Sequence, residues 1–203
     1  MIAVITGDIV NSQSRPASEW IPLLRNYFSS IGKTPTDWEI YRGDEFQLRV
    51  PPENALEIAI RIKAMIKTVK NLDVRIGIGL GEESFKGTGV SESNGTAYQR
   101  SGKSLELLKN EKNKLMIATA DQGTNDTLNL LFKLALDFMD DWSTVSAEIV
   151  NLALEQPQAS QKQIAKQLNI QQSAVSQRQK RARLDLVQEL LTYYAKRMKN
   201  KDL

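Results

Sequence analysis

The chain reads as an α+β protein, with a sheet domain over residues 1–122 and an all-α region over residues 123–203. Three observations predict this. Short apolar or alternating runs bounded by turn residues (residues 2–6, 37–42, 45–50, 73–80 and 114–118) interleave with helix-period stretches in the first part. Beyond residue 118 only helical periodicity recurs. The charge also changes sign: residues 157–203 carry 10 Lys and Arg against 3 Asp and Glu, a net of +7, whereas residues 1–156 carry 17 against 21, a net of −4.

The apolar run Ile2-Ala3-Val4-Ile5 predicts a buried strand ending at Thr6. Residues 18–30 read as a helix, with Ser18 as N-cap, Glu19 in the first turn, and Ile21, Leu24, Tyr27 and Phe28 at helical spacing. Gly32 and Pro35 end it. Residues 37–42 and 45–50 form a hairpin closed at Gly43-Asp44, a tight-turn dipeptide. Pro51-Pro52-Glu53 opens a helix through Val69 with Ala55, Ile58, Ala59, Ile62 and Ile66 on one face.

In the strand at residues 73–80, Val74, Ile76 and Ile78 alternate with Arg75, Gly77 and Gly79. That glycine face admits close approach of a backbone or ligand. A Gly/Ser/Glu loop over residues 81–93, a helix over 96–108 and a strand over 114–118 complete a βαββαβ-type order. Helices follow at residues 126–139, 143–155 and 160–168. A last helix runs unbroken from Gln172 to about residue 199.

Composition narrows the chemistry. An apolar fraction of 41% with 25% charged residues is that of a soluble globular chain. Neither a membrane span nor a signal peptide is evident. The absence of cysteine excludes disulfides and thiolate metal sites and fits a cytoplasmic protein. The absence of histidine excludes imidazole acid–base catalysis, Ser-His and Cys-His nucleophiles and imidazole-bound zinc. A metal held here is hard and oxygen-ligated.

Two acidic motifs stand out: Thr6-Gly7-Asp8-Ile9 after the first strand and Arg42-Gly43-Asp44-Glu45-Phe46 in the hairpin. Each motif alone is explained by a turn or a cap. Together, with the first strand beside the hairpin, Asp8 and Asp44 converge. Two carboxylates and a backbone carbonyl such as that of Ile9 are a ligand set for Mg²⁺ or Mn²⁺ under nucleotide phosphates. Glu45, one residue on, is expected to face away from Asp44. Arg100 and Lys103, at i and i+3 of one helix, present cations to phosphate or simply solvate that helix. Arg75 is a weaker phosphate candidate.

These residues, with Val74-Arg-Ile-Gly-Ile-Gly-Leu-Gly81, resemble the palm domain of class III nucleotide cyclases and GGDEF diguanylate cyclases, over about residues 1–120. The resemblance implies a ferredoxin-like (βαββαβ) palm with metal ligands at Asp8, Ile9 and Asp44. It also implies Gly43 at the nucleotide, transition-state groups at Thr96 and Arg100, and a palm that acts in pairs. The family's asparagine is Thr96 here, and its base-selecting lysine is Ile40. Both departures weigh against cyclisation and leave metal and triphosphate binding.

Residues 160–178 match a helix-turn-helix. Ala165 is the small residue at the helix contact, Ile164, Leu168, Ile170, Val175 and Leu184 are the apolar anchors, and Asn169 takes the left-handed position. The second helix presents Gln172, Ser173, Ser176, Gln177 and Lys180 outward, glutamine suiting adenine edges and lysine guanine or phosphate, with Arg178, Arg181 and Arg183 for phosphates. An ordinary helical hairpin is the bland alternative; coincidence with the +7 segment favours double-stranded DNA.

The two halves together resemble the SatD family, including Asp141-Trp142-Ser143 before the later helices. The resemblance implies a DNA-binding transcriptional regulator. Three functions are expected in turn: a regulator whose palm senses a nucleotide or cyclic nucleotide with Mg²⁺ or Mn²⁺; an active nucleotidyl cyclase or polymerase-type enzyme forming a cyclic nucleotide from ATP or GTP; and a degenerate palm that only dimerises. Leu184, Val187, Leu190, Leu191 and Tyr194 on one face of the last helix point to a homodimer.

Overall fold

In the computed structural model residues 1–199 are described, so the last four positions of the 123–203 region lie outside it. The described residues form an α+β fold with one five-stranded mixed sheet and eight α-helices. In chain order these are β1 (Ile2–Val10), α1 (Ile21–Ile31), β2 (Trp38–Tyr41), β3 (Glu45–Val50), α2 (Ala55–Lys67), β4 (Asp73–Gly81), α3 (Thr96–Asn110), β5 (Leu115–Ala118), α4 (Gln122–Met139), α5 (Thr144–Glu155), α6 (Gln161–Leu168), α7 (Gln172–Arg181) and α8 (Leu184–Lys199). The strand order is β2-β3-β1-β4-β5; only β4 and β5 run parallel.

One sheet face carries Ala3, Ile5, Ile9, Leu48, Val74 and Ile78 into an apolar core completed by α1 and α2. Phe28, Trp38 and Phe46 meet there, with ring centroids 5.6 and 5.4 Å from Phe28. The Phe46 ring fills the space where Gly7 would carry a Cβ, so the glycine of the first acidic motif serves packing. The other face is covered by α3. A Cβ on Gly77 would lie 2.5 Å from the Ser101 carbonyl. The glycine face of β4 therefore admits a helix backbone and not a ligand.

The same core continues without a break through Leu128, Phe132, Trp142, Ile149, Ile164, Val175 and Val187 of the helical region. Polar ties reinforce the join. The Trp142 indole N–H donates to the Ala182 carbonyl at 2.9 Å, and the Tyr194 hydroxyl donates to the Pro52 carbonyl at 2.9 Å. A buried ionic network lies between α2, β4, β5 and the end of α4. Lys63 Nζ donates to Asp73 at 2.8 Å and to Asp140 at 2.6 Å, and Lys114 Nζ reaches Asp140 at 2.6 Å and Asp73 at 3.2 Å.

Several boundaries differ from expectation for local reasons. β1 runs to Val10, because it has paired neighbours on both sides through Asp8. Residues 17–19 form a 3₁₀ turn and α1 begins at Ile21, so Ser18 does not cap it. α4 starts at Gln122, since Asp121 accepts from the Thr124 N–H at 2.6 Å. The expected unbroken last helix is two helices: Arg183 takes φ 53°, which turns the chain between α7 and α8.

Candidate functional site

Asp8 lies inside β1, not at its exit, and faces the α3 side of the sheet. Its register partners are Glu45 on β3 and Arg75 on β4. The cross-strand pair with Arg75 is bidentate: the guanidinium donates to Oδ1 at 3.1 Å and to Oδ2 at 2.8 Å. Asp44 follows Arg42 (φ 51°) and Gly43 (φ 90°) at the hairpin tip. The Ile9 N–H donates to the Asp44 carbonyl at 3.1 Å, which pins that tip against β1. The Asp44 carboxylate accepts from the Ser12 hydroxyl at 2.6 Å.

Asp8 and Asp44 thus line one open pocket of about 550 Å³, together with Ile9, Asn11, Ser12 and Arg75. Glu45 corrects the sequence reading. As the partner of Asp8 it shares that strand face, but Lys109 at the end of α3 engages its carboxylate at 3.4 Å. Burial first, and then the Glu45 charge, push the neighbouring Tyr41 hydroxyl above its ordinary value.

The donor types, two carboxylates and a hydroxyl, are those a hard cation takes. Both oxygens of Asp8 are held by Arg75, so Asp44 is the more available ligand. No group of three or more His, Cys, Asp or Glu able to hold a metal occurs among the described residues. With Arg75 counted, the lining carries one net negative charge.

The helical residues implied by the resemblance lie elsewhere. α3 runs antiparallel to β4, with its start at Gly81 and its end beside Glu45. Arg100 donates to the Leu80 carbonyl at 2.6 Å, and Thr96 accepts from the Glu82 N–H at 2.9 Å. Leu80 is five residues along β4 from Arg75, about 16 Å away at strand rise. Lys103 is an exposed residue of the intervening turn. The structure therefore brings together Asp8, Ile9 and Asp44, and does not bring Thr96 or Arg100 to them. Ser12 joins the site, and Lys109 reaches Glu45 beside it, without a sequence signal. Neither position has a pattern of its own; only the register and the direction of α3 place them.

In the helical region Ser160 caps α6, its hydroxyl accepting from Gln163 N–H while the Gln163 side chain bonds back. Asn169 takes φ 51°, ψ 47°, as required for the turn into α7. Ile164, Ala165 and Val175 are buried where the helices meet. Gln172, Ser173, Ser176, Gln177, Lys180 and Arg181 are exposed. Arg178 is not on that free face: it is half-buried and pairs with Glu148 on α5 at 3.5 Å. Gln172 also donates to Gln161 on α6. Among the described residues no helix is long and apolar enough to cross a membrane.

No curated protein matches the chain. The family model described as the SatD family matches residues 1–192, spanning the sheet and the helices through most of α8, and the protein belongs to the SatD family.

Proposed function

We propose that this protein is a DNA-binding transcriptional regulator whose sheet domain holds a metal–nucleotide. The observation that carries the reading is the α6–α7 unit. A left-handed Asn169 sets the turn, a small buried residue sits at the contact, and α7 exposes six polar or basic side chains within the most basic segment of the chain. In this reading α7 enters the major groove. Ser173, Ser176 and Gln177 meet base edges, glutamine suiting adenine, while Lys180 and Arg181 meet phosphates.

The sheet supports the ligand half of the proposal. Its β2-β3-β1-β4 order with antiparallel neighbours, extended by a parallel β5, supports the reading of a ferredoxin-like palm. Asp44 and Asp8 would hold Mg²⁺ or Mn²⁺, which would neutralise phosphate charge. Arg75 is the cation of this chain nearest to such a phosphate. The bond from Arg100 to the Leu80 carbonyl counts against turnover, because the cation expected at a transition state is held at the far end of β4. The shared Asp8–Asp44 pocket is what favours the second reading, a nucleotidyl cyclase.

Fluorescence anisotropy with duplex DNA from the protein's own promoter, with and without nucleotides and Mg²⁺, tests the first reading. Binding is expected to weaken steeply between about 50 and 200 mM salt, and K180A and R181A should each lower the salt slope by about one. No binding at the lower salt would remove the proposal. Conversion of labelled ATP or GTP in the presence of Mn²⁺ would instead establish the cyclase reading.

A further inference from the structure

Four of the large apolar side chains exposed on the described surface gather in one place: Leu130, Leu134, Leu186 and Tyr193, 58, 62, 42 and 42% exposed, belong to α4 and α8. The two helices flank a groove of about 570 Å³ floored by Leu131, Phe138 and Leu190. A contiguous apolar patch with a charged rim marks an interaction surface. Of the α8 face expected from the sequence, Leu190 lines this groove. Leu184, Val187 and Tyr194 point into the chain's own core.

We propose that a second copy of this chain fills the groove, related by a two-fold axis that crosses α8. Charge order along α8 selects this occupant. Its exposed acids, Asp185 and Glu189, lie in the first half, and its exposed lysines, Lys196 and Lys199, lie in the second. A second α8 laid antiparallel about a point between Thr192 and Tyr193 sets Glu189 against Lys196 of the second copy, and the two-fold repeats the pair. A parallel arrangement would set acid against acid and lysine against lysine.

Shape agrees with charge. The patch carries both a ridge, Leu130 and Leu134 one helical turn apart, and a furrow. An isologous interface needs such a surface, complementary to itself. The pairing does not depend on DNA binding. Where DNA is bound, it would set two α7 helices on either side of the axis, since only Ala182 and Arg183 separate α7 from α8.

Sedimentation equilibrium of the full chain tests the proposal. The wild type is expected to be a dimer at micromolar concentration. Leu134→Glu and Leu186→Glu alter exposed positions, so they should keep the helical circular dichroism and weaken association at least a hundredfold. Glu189→Lys and Lys196→Glu should each weaken it about tenfold, and the double exchange should restore it. A monomeric wild type would overturn the proposal. So would open-ended polymers, a dimer unaffected by both glutamates, single charge reversals without effect, or a double exchange no better than its parents.

Discussion

Two pairs of aspartates, Asp73 with Asp140 and Asp8 with Asp44, differ in what surrounds them. The first pair is met by three ammonium groups: Lys63 Nζ contacts both carboxylates, Lys114 Nζ does the same, and Lys67 Nζ reaches Asp73 at 3.5 Å and the Asp140 carbonyl at 2.6 Å. The second pair is met by one guanidinium, on Asp8 alone, and by one hydroxyl, on Asp44. A carboxylate surrounded by buried cations is used up in holding the fold together. One whose bonds open onto a pocket retains coordination capacity. The difference lies in partners, not in residue type or in burial, since Asp8 and Asp73 are each 8% exposed.

The largest effect should come from breaking the buried pair. Lys63 is almost wholly buried, with a side chain 4% exposed. Lys63→Met keeps most of the stem and removes the charge, leaving two carboxylates short of a partner. Loss of one member of a buried ion pair costs about 3–5 kcal/mol. Urea denaturation should show that loss as a lower midpoint with an unchanged slope. A loss no larger than a surface mutation would mean that Lys67 and Lys114 suffice, and the contrast between the two pairs would collapse.

That network was legible only in part. Lys63 falls within the apolar stripe of α2, among Ala59, Ile62 and Ile66, and a charge in such a stripe signals a buried partner. Its partners come from β4 and from the end of α4, 10 and 77 residues away, and local periodicity cannot name them. The strands and the caps at Ser160 and Asn169 were readable because period-two alternation and capping chemistry are local. The Asp8–Arg75 pair was not, because it needs the β1–β4 register. The break at Arg183 was not either, since an arginine at positive φ carries no compositional mark.

Acid should separate the two pairs next. Burial opposes the charge on Asp73, but the ammoniums of Lys63, Lys67 and Lys114 together outweigh it and hold the carboxyl below its ordinary value. A depressed carboxyl stabilises the fold above the unfolded pKa and loses that contribution as pH falls through the folded one, so this loss is expected below about pH 4. At the alkaline end the lysines oppose each other. Burial lowers Lys67, while Lys114, despite its burial, is raised by Asp140 and Asp73. The acid limb is therefore the diagnostic one. In Lys63→Met it should be shallower and should end at higher pH, its onset at the unfolded pKa being unchanged, as followed by thermal melts between pH 2 and 7.

Within the open pocket, Asp8→Asn should cost about 1 kcal/mol: Asp8 itself is buried, but Arg75, its side chain 26% exposed, keeps access to water and an amide partner. Chemical denaturation reads that directly. A cost as large as that of Lys63→Met would make Asp8 structural and remove it from the ligand set.

The smallest stability effect is expected at Asp44, and it is the most telling. Asp44→Asn keeps the shape of the side chain and one acceptor for the Ser12 hydroxyl, at a hairpin tip whose φ values are carried by Arg42 and Gly43. Stability should change by less than about 0.5 kcal/mol, the range of surface substitutions. Metal–nucleotide affinity has no such reserve. Arg75 occupies both oxygens of Asp8, so Asp44 is the carboxylate on which a hard cation first depends. Its neutralisation should weaken calorimetric binding of ATP or GTP with Mg²⁺ at least tenfold, that is, by about 1.4 kcal/mol. Unchanged binding in a fully folded Asp44→Asn variant would show that the open pair is structural like the buried one, held by Arg75 and Ser12 for the hairpin's sake alone.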